Sequence, residues 1–147
     1  MFIAAHGWDH AAWSGIFFPS DLPPEWRLAY YANEFRAVVV PEACWRNVDA
    51  VTLAQWVTDT REGFHFLLAV EGEMPPTPLV QALGRRFGGL VTVGDPAVAC
   101  WEGGADVRVL RDVIMGLPAD GVLVVTGEPP SLPALRTAQT IAQLLGL

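Results

Sequence analysis

Five short apolar runs recur along this chain, and each is followed by a stretch of helical spacing. The runs lie near residues 2–6, 37–41, 64–70, 89–93 and 121–126. Strands that alternate with helices predict a parallel sheet joined by right-handed crossovers. Ala37 to Val40 is continuous and largely β-branched, as a strand buried on both faces should be. The alternation allows two architectures. One is a shortened (β/α) TIM-barrel-like domain with about five parallel strands, adjacent in chain order. The other is a doubly wound open parallel sheet.

The stretches between the runs supply the helices. Gly7 permits a tight turn as the first strand ends at His6-Gly7-Trp8. An aromatic loop with Trp13, Phe17 and Phe18 follows. Pro23-Pro24 opens a helix whose buried face is Leu28, Tyr31, Ala32 and Phe35. Glu42 to Asn47 reads as a loop. The next helix has Thr52 and Gln55 at capping-box spacing, with Leu53, Trp56 and Val57 inward. Thr77-Pro78 starts a third helix that runs to about Phe87, where Gly88-Gly89 ends it. Ala97 to Trp101 reads equally as a short strand or a loop. Asp106 to Leu117 is helical, and Ser131 caps a last helix carrying Leu135, Ala138, Ala142 and Leu145 along one face.

Composition excludes several chemistries. The chain has no lysine, and all nine of its Lys/Arg cations are arginines. That removes lysine Schiff bases, a lysine-anchored pyridoxal cofactor and a Walker A loop. A net charge of -7 disfavours nucleic acid and anionic membrane as partners. No apolar stretch approaches a membrane span and no signal peptide is visible. Cys44 and Cys100 lie far apart, with neither metal spacing nor the look of a disulfide scaffold. A reducing cytoplasm is the expected setting. No cofactor is implied. His6-x-x-x-His10 contains Gly7 and lacks the H-E-x-x-H pattern, so no metal site is expected.

The order of motifs in the first half is distinctive. His6-Gly7-Trp8 is followed by W-S-G-I-F-F-P from Trp13, then L-P-P from Leu22, L-A-Y-Y-A from Leu28 and Glu34-Phe35. This succession resembles the opening of the domain-of-unknown-function 72 family, the YecE-like proteins. Their strand, Gly-Trp turn, W-x-G-x-F-Y-P loop and L-x-Y-Y-A helix come in that order. Ala43-Cys44-Trp45-Arg46 sits where that family has T-F-Y-R, and Phe64-His65-Phe66 where it has F-x-F. The resemblance implies one TIM-barrel-like domain over residues 1–147, in a chain much shorter than the family barrel. It implies no settled activity. Val38-Val39-Val40-Pro41 replaces the family's V-E-x-N, and Ala69 or its neighbour stands where its third strand ends in lysine. Those losses point to a non-catalytic scaffold or assembly module.

The alternative is a small-molecule site at the carboxyl ends of the strands, where parallel α/β folds place their ligands. The candidate residues are His6, Trp8, Glu42, Trp45 and Arg46. Rings beside a guanidinium suit a flat or anionic molecule. His65 is expected to face the barrel axis, and a hydrogen-bonded core histidine is its favoured role. Five curved strands would leave two edges and an apolar inner face uncovered, which predicts a homodimer.

Overall fold

The computed structural model describes residues 1–147, with six strands and six α-helices. The strands are β1 (Phe2–His6), β2 (Ala37–Val40), β3 (His65–Ala69), β4 (Phe87–Val91), β5 (Val98–Trp101) and β6 (Val122–Val125). The helices are α1 (Arg27–Glu34), α2 (Glu42–Arg46), α3 (Ala50–Asp59), α4 (Thr77–Leu83), α5 (Val107–Gly116) and α6 (Leu132–Leu144). All strand pairs are parallel.

Several local expectations change. The ambiguous stretch at 97–101 is a strand, β5. Glu42–Arg46 is one short helix, because the Pro41 carbonyl accepts from both the Cys44 and the Trp45 amides. The cap of α3 is Asp49, whose side chain accepts from the Thr52 amide at 2.7 Å; Asp49 lies three residues before Thr52, the spacing an N-cap requires. Helix α4 ends at Leu83, and Gly84, at φ +58°, turns the chain out of it. Gly88 and Gly89 therefore lie inside β4. Gly88 sits where a Cβ would come within 2.8 Å of Leu67 Cδ2. Two glycines in a row signalled a breaker, but the first serves close packing.

The sheet order is β4-β3-β2-β1-β6-β5. The first four strands are neighbours in chain order, as expected. The last strand, however, joins β1 rather than β4, with Phe2 to Ala5 set against Val122 to Val125. Both edges of the apolar β1 are thereby covered. Taken round a ring, the strands run β1 to β6 without a break in sequence, and the ring is open only between β4 and β5. A closed barrel of this type has eight strands, so the opening stands where two β/α units are missing.

The link across the opening is short. The Asp95 amide donates to Thr92 and the Val98 amide to Asp95, giving two successive turns. Two turns and one peptide step reach about 18 Å at most. A flat six-stranded sheet would hold its edges about 24 Å apart before any displacement along the strands. The sheet is therefore curled into a half-barrel.

Side-chain parity gives the two faces. On the outer face, Ala5, Val38, Val40, Phe66, Leu68 and Val125 share one core with residues of α1, α3, α4 and α6. Leu123 packs outward with Leu110 and Ile114 of α5 and Ala138 and Ile141 of α6. On the inner face, Ala4, Ala37, Val39, Leu67, Ala69, Val91, Val122 and Val124 form a cluster with no helical residue in it. Helices on one face only exclude the doubly wound alternative. The inner face is also closed by its own curvature, since Leu67 and Val39 are each 1% exposed. This overturns the expected bare inner face.

The aromatic loop completes the outer core. Trp13 is 1% exposed and its Nε1 donates to the Pro130 carbonyl at 3.2 Å, tying the loop to the start of α6. Tyr31 of α1 is wholly buried; its hydroxyl donates to Ala37 O at 2.7 Å and accepts from the Ala5 amide at 3.2 Å. One side chain thus joins the backbones of β1 and β2, and burial pushes its phenol pKa well up.

Candidate functional site

His6 is the last residue of β1, on the inner-face parity of Phe2 and Ala4. It is half-buried at the carboxyl end of the sheet. Gly7, at φ +80°, then turns the chain, and its amide donates to Val39 O at 2.8 Å. His10 Nε2 lies 3.1 Å from both the His6 and the Gly7 carbonyls. Two carbonyls require a donor, so His10 carries its proton on Nε2 and serves to close this turn. Trp8 stands edge-on to Trp56 of α3, with ring centres 5.1 Å apart. Burial pushes the His6 pKa below its ordinary value; Glu71 and Glu128 pull it back, and His10 pushes it further down.

Glu42 has a different role. Its carboxylate is 3% exposed and accepts from the Glu71, Gly72 and Glu73 amides at 2.7, 3.1 and 2.9 Å. Arg46, one helical turn on, donates to it at 2.5 Å. Desolvation pushes this carboxyl up, but the three amides and the guanidinium together hold it below the usual carboxylate value. Arg46 also pairs with Glu73 at 3.4 Å. Trp45 is buried, and its Nε1 donates to Ala69 O at 2.8 Å. The short helix α2 is therefore a clamp that holds the end of β3 and the loop after it.

Four of the five sequence candidates divide between two concavities. His6 and Trp8 line a groove of about 990 Å³ that runs from the strand ends between α1 and α3. Trp45 and Arg46 line a separate hollow of about 490 Å³ between α3 and α4, walled mainly by apolar side chains such as Leu53, Val57 and Leu79. Glu42 lines neither of these two. The expected single concavity, with Arg46 beside His6, is thus replaced by two sites back to back on α2 and α3. His65 has the expected inner parity but lies at the opposite end of the sheet, its ring 4.9 Å from that of Phe2.

The 990 Å³ groove has a definite charge. Asp9, Glu25, Asp49, Asp59 and Glu128 line it, together with His6 and His10, and no arginine does. Arg27 neutralises Asp9 at 2.6 Å. Asp49, the cap of α3, begins a polar stripe that continues along the helix through Thr52, Gln55 and Asp59, and that helical spacing was the available sign of this wall. The acidic residues nevertheless come from four separate segments, so their convergence follows only from the fold. No three of the His, Cys, Asp and Glu side chains meet in a geometry that would hold a metal ion.

The fold and groove define a class: a curled, all-parallel β/α half-barrel with a polar concavity at the carboxyl ends of its first strands. A family model described as a protein of unknown function, DUF72, matches residues 2–78, more than half of the chain, and the chain belongs to that family. A solved DUF72 family protein from Thermotoga maritima aligns over 99% of this chain at 15% identity and a TM-score of 0.44. The alignment covers 62% of that protein, so this chain spans about three fifths of its length. No curated protein matches.

Proposed function

We propose that this chain is a non-catalytic binding module whose ligand, a small neutral or cationic molecule, occupies the strand-end groove. The observation that carries this reading is the lining of the groove, which has no arginine and five carboxylates, of which only Asp9 is paired with a cation. Such a surface repels anions and attracts amines, and Trp8 adds an indole ring to the same wall. The anionic ligand expected from Arg46 loses its support, because that guanidinium already serves Glu42 and Glu73. The non-catalytic part rests on Glu42, whose oxygens are occupied by four donors within the protein.

Thermal-shift and calorimetric titration test this with spermidine and agmatine as amines and citrate as the anion. The amines are expected to raise Tm, and Glu128→Gln and Trp8→Ala to weaken the effect. Stabilisation by citrate alone would overturn the reading.

A second reading, an assembly module, is favoured by the two free strand edges. Neither Phe87–Val91 nor Val98–Trp101 carries a charged residue or a proline, the usual guards against edge pairing. Pairing across a two-fold axis would give a homodimer. Sedimentation equilibrium at micromolar concentration tests it, and a monomer mass there would exclude a stable dimer. The two exposed, unpaired thiols of Cys44 and Cys100 suit a reducing, cytoplasmic setting.

A further inference from the structure

Cations are scarce in this chain, and most are spoken for. Arg27, Arg46, Arg111 and Arg136 pair with carboxylates, and Arg86 donates to both oxygens of Thr60. The guanidinium groups of Arg36, Arg61, Arg85 and Arg108 have no acceptor on the protein. Two of these, Arg36 and Arg61, line one cavity of about 440 Å³. It lies at the amino ends of β2 and β3, at the opposite end of the sheet from the acidic groove.

Both arginines are anchored at the backbone. Arg36 lies between Phe35 and Ala37, each 1% exposed, and its carbonyl accepts from the His65 amide at 2.9 Å. The Arg61 carbonyl accepts from the Phe64 amide at 3.1 Å. The turn from Arg61 to Phe64 leads directly into β3, whose first amide bonds Arg36, so the two residues are held on neighbouring segments and line the same cavity. Asn33 and Gln139 add amide groups to the wall. Of the two acids present, Glu34 is held by Arg136 through both oxygens, at 2.6 and 3.2 Å. Glu62 is the remaining carboxylate, against two free guanidinium groups.

We infer that this cavity binds a small dianion, a phosphoryl group or a dicarboxylate, between Arg36 and Arg61. Two like charges sharing a cavity repel, and an anion between them removes that cost while accepting paired N–H bonds from each planar fork. The volume falls within the range of small-molecule sites. This site is independent of the acidic groove, so either assignment stands or falls alone.

The test is an amide NMR titration with sodium phosphate and with sodium succinate, against sodium chloride at matched ionic strength. Saturable shifts are expected at Ala37, Gly63 and Phe64. Arg36→Gln and Arg61→Gln should each weaken binding roughly tenfold or more, as loss of a charged hydrogen-bond donor does. Arg108→Gln should change nothing. Both side chains are exposed, so the variants are expected to keep the fold, and unchanged shifts elsewhere check this. Saturation by only one of the two anions supports the site and fixes its shape preference. Shifts no different from those in chloride, or full affinity in both variants, would overturn it.

Discussion

Glu42 and His6 stand on neighbouring segments at the same end of the sheet, yet only His6 lines the groove. Glu42 shows why a polar residue beyond a strand was a poor guide to function: its partners are amides 29 to 31 positions away, which no local pattern reveals. Replacing it with Gln weakens all three bonds. Amide exchange at Glu71, Gly72 and Glu73 is expected to rise by roughly an order of magnitude or more, read by hydrogen-exchange NMR. Unchanged rates would show that the loop holds itself. His6 gives a prediction in pH. Its folded pKa lies below its ordinary value of 6.5, so the unfolded chain binds the proton more readily. The stabilisation is fully present above pH 6.5 and is lost as pH falls through the depressed folded value. Urea midpoints across that window should decline in the native chain. In His6→Gln that part of the decline should vanish, and an identical slope would remove His6 as its source.

Among the elements, five of the six strands, and the two faces of β3, were legible because period-two alternation and β-branched runs have few other uses; β5 was not, because its four residues suit a loop equally well. Helix ends were less so. Gly88-Gly89 looked like a terminus, since glycine breaks helices, but nothing local distinguishes a breaker from a close approach. The separating fact is Leu67, which faces Gly88 from the next strand. Gly88→Ala should therefore destabilise the protein by about 1–3 kcal/mol, the usual cost of overpacking. At Gly104, where a Cβ would meet nothing within 4 Å, the same change should cost little. Chemical denaturation of both variants checks this, and equal midpoints would mean that β4 shifts to make room. The groove was half legible by the same logic. His6 and Trp8 follow a strand, where sites are looked for, whereas Asp49 and Asp59 are placed beside them only by the packing of α3 against α1.

For the molecule as a whole, ring order decides what can stand alone. The segment that carries the family match, residues 2–78, contains β1, β2 and β3 with the helices between them. It leaves out β6, which covers the second edge of β1 along four residue pairs. It leaves out Pro130, the acceptor for buried Trp13. It also leaves out Leu132, Ala134 and Leu135 of α6, which share one core with Trp13, Tyr31 and Phe35. Without them the largest aromatic cluster would face water, and the second edge of the apolar β1 would be open. A chain ending at residue 78 is therefore expected to lack a cooperative thermal transition and native-like NMR dispersion. Adding residues 79–147 as a separate polypeptide should restore both if the missing contacts are the cause. A cooperative transition in the short fragment alone would show instead that the matched segment carries its own complete core.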